Sequence, residues 1–261
     1  MEELLAIMAR LRAPQMGCPW DLAQDFESLA PYVLEEAYEV VDVIERQAWE
    51  ELPDELGDLL FQVVFHAQIG REQGLFSFDE VVKRINDKLI RRHPHIFSET
   101  SAPTSLPWEQ IKAAERAQRH PAAAGALAHV PQNLPALSRA QKLGGRAARV
   151  GFDWPDTAGV LAKVHEELGE LEVELQADSA SRARIAEELG DLLFTLTQLA
   201  RHLELDAETS LRHASRKFET RFTRMEEKLL AQGLAPAPEL MELFWQQVKA
   251  QEAEDASEHK S

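Results

Sequence analysis

Apolar residues recur at steps of three and four along most of the chain. Between Pro31 and Arg46, Val33, Ala37, Val40, Val41 and Ile44 fall on one stripe. Between Leu52 and Ile69, Leu56, Leu59, Leu60, Val63, Val64 and Ala67 do the same. That spacing predicts helices, each burying one face. A third helix is expected from Phe78-Asp79 to Arg92, with Val82, Ile85 and Leu89 inward, acids in its first turn and Pro94 stopping it. No segment alternates convincingly with a period of two. Ala and Leu outnumber Val, Ile and Thr by more than two to one, a balance that favours helices over strands. The predicted fold class is all-α.

The pattern breaks between Ser98 and Pro135, where Pro103, Pro107, Pro121, Pro131 and Pro135 punctuate a stretch containing the low-complexity PAAAGALAHVP. One short helix, about Trp108 to Arg119, is expected within it. Beyond it the chain repeats itself. LEEAYEV at Leu34–Val40 is answered by HEELGEL at His165–Leu171, and DELGDLLF at Asp54–Phe61 by EELGDLLF at Glu187–Phe194. PWEQIK returns as FWQQVK, and GCPWD has an echo in GFDWP. The offsets are 131 for Glu36 to Glu167, 133 for Asp58 to Asp191, 129 for Lys88 to Lys217 and 137 for Trp108 to Trp245. Solenoid repeats have periods of roughly 20–50 residues. A longer period, kept in order with loop-sized drift, marks a duplicated domain. The expected organisation is two tandem helical bundles, 1–120 and 136–261, joined by a Pro/Ala-rich linker at 121–135.

Charge narrows the function. The 261 residues carry a formal net charge of −17 at pH 7. A surface that acidic repels nucleic-acid phosphates and argues against DNA or RNA as a partner. No run approaches about 18 uninterrupted apolar residues, so no membrane-spanning segment is expected. The first residues, MEELLAIMARLR, have acids where a secretory signal carries positive charge, and the single Cys18 cannot form an intramolecular disulfide. A soluble, cytoplasmic protein is expected.

The acids themselves are patterned. The first copy has Glu36-x-x-Glu39 and then Glu55-x-x-Asp58; the second has Glu167-x-x-Glu170 and then Glu188-x-x-Asp191. On a helix, residues three apart are surface neighbours, so each motif projects two carboxylates together. The intervening residues let one helix end, turn and return antiparallel, and four carboxylates then converge. Like charges gathered in one place repel. A divalent cation resolves this, and all-oxygen ligation is what Mg²⁺ or Mn²⁺ prefers. Lys88 with Arg92, and Lys217 with Arg221, sit four apart on nearby helices, and a metal cluster beside such a pair fits a polyphosphate. Gly57 and Gly190 fall inside apparent helices, where glycine costs about 1 kcal/mol relative to alanine. A close approach of a helix or a ligand would account for them.

These residues resemble the E-x-x-E, E-x-x-D signature of the MazG nucleoside triphosphate pyrophosphohydrolases. GCPWD, LEEAYE, GDLLFQVVFHAQ, RRHPHIF, GFDW and WQQVK extend the resemblance over nearly the whole chain. The carboxylate signature alone is shared with the wider all-α pyrophosphatase superfamily, including dimeric dUTPases. The resemblance implies a helical homodimer that hydrolyses NTPs or dNTPs, with Mg²⁺, to the monophosphate and pyrophosphate. It implies Glu167, Glu170, Glu188 and Asp191 as catalytic metal ligands of the second domain, with Lys163, Lys217, Arg221 and Trp245 lining its nucleotide site. In the first domain it implies Glu36, Glu39, Glu55 and Asp58 as ligands and Lys88 and Arg92 as phosphate contacts.

The chemistry expected is attack of water on the α-phosphorus, with Glu166 one candidate for the general base among the neighbouring carboxylates. There is no P-loop motif. None of the nine histidines follows a Glu by three residues, which removes the di-iron bundle reading. Two alternatives stay open: a narrower pyrophosphohydrolase for dUTP or a damaged nucleotide, and a nucleotide-binding regulatory role for one domain. The second domain is the expected catalytic one, because Lys217 and Arg221 lie on a long uninterrupted helix followed by Trp245.

Overall fold

The structure, a computed structural model, describes residues 1–97, 111, 115, 125–177, 179 and 181–258. Those residues form helices and turns, with no strand among them. The chain divides into two compact units, Met1–Arg119 and His120–Ser261.

Unit 1 contains α1 (Glu2–Leu11), α2 (Pro19–Ala23), α3 (Phe26–Arg46), α4 (Leu52–Glu72), α5 (Phe78–Arg92) and α6 (Pro94–Phe97). The pairing of α3 with α4 is its backbone, and α1 packs across α4. Met8, Leu29, Val64, Phe65 and Ile69 form the core between them. The buried Arg12 joins these elements at one end: its guanidinium donates to Glu72 at 2.7 and 3.0 Å, to the Gln24 carbonyl at 3.1 Å and to the Asp21 carbonyl. Helix α3 starts at Phe26, five residues before the Pro31 expected from the apolar stripe. The reason is local. The Asp25 carboxylate accepts from the N–H groups of Glu27 and Ser28 at 3.0 and 2.8 Å, and the Ser28 hydroxyl accepts from the Asp25 N–H at 2.9 Å. This reciprocal cap nucleates the helix early enough to outweigh the backbone bond lost at Pro31. Helix α5 has the predicted bounds.

Unit 2 contains α7 (Ala136–Ala148), α8 (Thr157–Gln176), α9 (Arg182–His202), α10 (Ala207–Ala231) and α11 (Pro238–Glu258). The α8–α9 hairpin corresponds to α3–α4, and α7 packs on α9 as α1 does on α4. Here the contact is polar. Gln198, fully buried, donates to the Ala140 carbonyl at 3.0 Å and accepts from Arg201 Nε at 3.0 Å. Gly144 makes this possible, since a Cβ there would fall 1.6 Å from Gln198 Oε1. Helices α10 and α11 pair through Met225, Leu229, Phe244 and Val248. Val130 is buried and the Arg146 guanidinium donates to the Ala128 carbonyl, so the described part of the expected linker, 125–135, rests on this unit. The helix expected over Trp108–Arg119 lies outside the described residues except at Ile111 and Glu115, which are helical.

Several positions expected inward are not. Ile44, Leu56, Leu60, Val63, Val82, Ile85 and Leu89 are 36–47% exposed, while Val43 rather than Ile44 is buried. Each hairpin has two apolar faces, and α1 or α7 covers one of them. Among the described residues no helix is long and apolar enough to cross a membrane.

Asp153 ties the turn before α8 to the end of α9, accepting from Arg201 at 2.5 and 3.0 Å and bonding His202 Nε2 at 3.0 Å. Arg201 holds its carboxyl down to about 2, from an ordinary 3.8. A depressed folded-state pKa stabilises above the unfolded value and loses that contribution as pH falls through the folded one. Asp153→Asn therefore costs about 1 kcal/mol at pH 7 once solvent screening is allowed for. Thermal melts of both proteins should differ above pH 4 and converge as the pH approaches 2.

Candidate functional site

Each hairpin carries its acids on facing helices. In unit 1, Glu36 and Glu39 of α3 and Glu55 of α4 each offer a carboxylate oxygen, all within 4.8 Å of one another. In unit 2, Glu167 and Glu170 of α8 and Glu188 of α9 do the same. The spacing explains this: residues three apart share a face on one helix, and the antiparallel return places the second motif opposite the first. Asp58 and Asp191, one turn beyond Glu55 and Glu188, stand outside these closest groups. They remain within electrostatic reach, Asp58 of Glu36 and Glu55, and Asp191 of Glu188.

The clusters are electrostatically unfavourable as they stand. Burial, with the charges of Glu39 and Asp58, pushes the Glu36 carboxyl above the ordinary range against a favourable bond from Gln62. Glu55 is pushed up by desolvation and by Glu39 and Asp58. Glu188 is raised in the same way, by desolvation and by Glu170, Glu187, Asp191 and Glu167. Helix packing thus holds Glu36, Glu55 and Glu188 where each prefers a proton or a cation. The donors are all oxygen, already converged, and in unit 1 the buried Gln62 Oε1 lacks a hydrogen-bond partner. That set fits a hard divalent ion.

The surroundings of the two clusters differ. In unit 2, Lys163 Nζ reaches Glu166 Oε1 at 2.8 Å and Glu167 Oε1 at 2.7 Å. A cleft of about 310 Å³ opens beside this cluster, lined by Glu166, Gly169, Glu170, Glu174, Arg184 and Glu188. Its volume is at the low end for small-molecule sites. Arg184, which pairs with Glu174 at 2.5 Å, is absent from the residues expected at the site. The signal that points to it is its position four residues before Glu188, on the same face of α9.

The other expected contacts lie elsewhere in their units. Lys217 is exposed on α10, and Arg221 is bonded to Glu252 of α11 at 2.8 Å. Trp245 is half-buried, with its ring 5.4 Å from that of Phe218. None of these three makes a hydrogen bond or ion pair to the unit 2 cluster among the described residues. In unit 1, Lys88 is half-buried on α5. Arg92, with Arg91, grips Glu115 at 2.5–3.0 Å. Arg92, and then Arg91, hold the Glu115 carboxyl down to about 2. The two ion pairs are copies of one another. Glu115 and Glu252 both stand seven residues after the repeated tryptophans, Trp108 and Trp245. At Gly57 and Gly190, apart from chain neighbours and the helix's own adjacent backbone, no atom of the described residues lies within 4 Å of the place a methyl side chain would occupy. The close helix contact that would account for them is therefore absent within either hairpin, and both glycines leave open backbone next to the acids.

Fold and site together define a class: a tandem all-α protein whose two helical hairpins each carry an E-x-x-E, E-x-x-D centre. The chain belongs to the family of the MazG nucleotide pyrophosphohydrolase domain, whose model matches residues 24–97 and 157–225. It is 50% identical to the nucleoside triphosphate pyrophosphohydrolase of Escherichia coli K12, over 97% of this chain and 98% of that protein. It is 43% identical to the nucleoside triphosphate pyrophosphohydrolase/pyrophosphatase MazG of Thermotoga maritima, over 95% of each. With the nucleoside triphosphate pyrophosphohydrolase of Mycolicibacterium smegmatis the identity is 36%, over 58% of this chain and 46% of that protein.

Carboxyls whose folded pKa is raised stabilise the protein at low pH and lose that contribution as pH rises through the folded value. The metal-free protein should therefore lose thermal stability as pH rises from the ordinary glutamate value through the raised folded values of Glu36, Glu55 and Glu188. A melting temperature in EDTA that is flat over this range would contradict the electrostatic reading.

Proposed function

We propose that this protein hydrolyses nucleoside triphosphates and deoxynucleoside triphosphates to the monophosphate and pyrophosphate, with Mg²⁺, and that unit 2 is the working centre. The observation that carries this reading is the convergence of Glu167, Glu170 and Glu188 beside an open cleft and a lysine. The near full-length similarity to proteins named for the activity supports it. Glu167, Glu170, Glu188 and Asp191 would hold the cation, for which Mn²⁺ is a chemically similar substitute. When bound, that ion neutralises polyphosphate charge and acidifies water. The carboxylates orient the water for in-line attack on the α-phosphorus, and Glu166, beside the first ligand, is the acceptor of its proton. Lys163 exchanges its carboxylate partners for a phosphate. Lys217 and Arg221 offset charge on the leaving pyrophosphate, and Trp245 gives the base a flat apolar surface.

The protein works, on this reading, as a homodimer. Leu189, Leu193 and Leu196 of α9, like Leu56, Leu60 and Val63 of α4, form exposed apolar stripes next to the acids. A second copy of the chain is the occupant of matching chemistry, and it would bring the distant cations of α10 closer to completing a site. A second reading concerns unit 1 alone, as a nucleotide- or cation-binding module without turnover. It is favoured by the absence of a lysine at the place equivalent to Lys163, where the offset of 131 puts Tyr32.

Products from a panel of NTPs and dNTPs test the proposal. Monophosphate and pyrophosphate should form with Mg²⁺ and cease in EDTA; diphosphate and orthophosphate would contradict it. Glu188→Gln should lower kcat by about a hundredfold or more while the helical content is kept. Glu55→Gln in unit 1 should cost far less; equal losses would show that both units turn over. Leu193→Glu should shift the molecule from dimer to monomer in sedimentation equilibrium, and an unchanged mass would remove α9 from the interface.

A further inference from the structure

The two acid centres are controls for one another, because they share a hairpin, a carboxylate pattern and a chain. They differ in the positive charge each already holds. In unit 2 the ammonium of Lys163 sits 2.7 Å from Glu167 Oε1, the carboxylate expected as first ligand, and 2.8 Å from Glu166. Glu167 is 5% exposed, so this is a short ion pair on a buried acid. In unit 1 the equivalent place belongs to Tyr32, whose ring lies edge-on to Trp20 with centroids 6.0 Å apart. No cation among the described residues pairs with Glu36, Glu39, Glu55 or Asp58. Glu36 is met by Gln62 Nε2 at 3.4 Å instead.

Gln62 adds a second difference. It lies four residues after Asp58 and seven after Glu55, on the face of α4 that carries the acids. It is 6% exposed, and its Oε1 has no hydrogen-bond partner. Burying an amide oxygen unpaired is costly, and the amide turned end for end would set that oxygen where Nε2 now lies, 3.4 Å from Glu36, facing a cation held there. The offset of 133 puts the buried Thr195 at this position in unit 2. Unit 1 therefore offers the same acids plus an orphaned amide oxygen and no internal competitor. In unit 2 a divalent ion must either displace an ammonium from Glu167 or accept its repulsion, and either weakens binding.

We propose that unit 1 takes up a divalent cation in the absence of substrate, whereas Lys163 holds the unit 2 centre against the bare ion until a polyphosphate draws the ammonium away. The inference rests on the reading of both clusters as cation centres. It makes unit 1 a resident-ion site and unit 2 one where cation and polyphosphate each strengthen binding of the other, a coupling that is reciprocal by linkage.

The test is a Mn²⁺ titration of the full chain without nucleotide, following free Mn²⁺ by electron paramagnetic resonance. The tighter class of site should vanish in Glu36→Gln and persist in Glu188→Gln. Lys163→Met should tighten the weaker class, or bring it into range, by about tenfold or more, and leave the tighter class alone. A non-hydrolysable triphosphate with a methylene between the α- and β-phosphorus should tighten the weaker class of the wild type more than that of Lys163→Met. Tyr32→Lys, which adds an ammonium to unit 1, should weaken the tighter class and supplies the answer if Lys163→Met does not fold. Unchanged affinities in both lysine variants, or loss of the tighter class in Glu188→Gln, would overturn the inference. No Mn²⁺ binding by the wild type would instead remove the underlying reading of the clusters as cation centres.

Discussion

The structure depends on mutual repulsion among carboxylates that helix packing refuses to relieve. A single E-x-x-E motif on a helix surface relaxes into water at little cost. Two such motifs on the facing helices of one hairpin have no such freedom, because separating the acids means separating the helices. In unit 1 the hairpin is fixed by Val64, Phe65 and Ile69 against Met8 and Leu29, and by Arg12 bridging Glu72 to the carbonyls of Asp21 and Gln24. Apolar burial of this kind provides the free energy that holds the acids together. The raised carboxyls of Glu36, Glu55 and Glu188 are its electrostatic signature. On the proposed function, that stored repulsion is what a cation would relieve.

Duplication kept this constraint and changed most of what surrounds it. The buried side of the α4 hairpin is apolar, with Phe65 at its centre. At the equivalent position of α9 stands Gln198, fully buried and bonded to the backbone of α7, with Gly144 giving it room. Val43, buried in unit 1, is matched by Glu174, which pairs with Arg184 at the mouth of the cleft. The two cores reach the same hairpin by different chemistry. The four acids, and the Gly-Asp-Leu-Leu-Phe segment that carries the last of them, are retained in both copies. Arg92 with Glu115 and Arg221 with Glu252 are a second retained device, linking corresponding helices in each copy. A pair preserved at matching places in divergent surroundings points to the positioning of these arginines as a shared need.

Much of this is legible in the sequence. The bounds of α5 follow from its apolar period, from the acids of its first turn and from Pro94. The pairing of the acid motifs follows from their spacing. The early start of α3 does not, because the capping residues Asp25 and Ser28 lie outside the apolar stripe that begins near Pro31. The solvent exposure of Leu56, Leu60 and Val63 is hidden for another reason. Periodicity identifies an apolar face and is silent on what covers it, and among the described residues this face stays exposed. Resemblance places Lys163 at the site, while its contact with Glu167 depends on a rotamer that no spacing rule supplies. Glu115 and Glu252 carry no signal of their own, because a lone acid on a polar helix has no pattern until its partner is seen across the gap.

If these carboxylate hairpins direct water to the α-phosphorus of a nucleoside triphosphate, the position of the incoming oxygen reveals it. Hydrolysis in water enriched in heavy oxygen, followed by mass spectrometry of both products, reads that position. One heavy oxygen is expected in the monophosphate and none in the pyrophosphate. Label in the pyrophosphate would mean attack at the β-phosphorus, and label in released orthophosphate attack at the γ-phosphorus. Either result would contradict α-phosphorus chemistry at these centres.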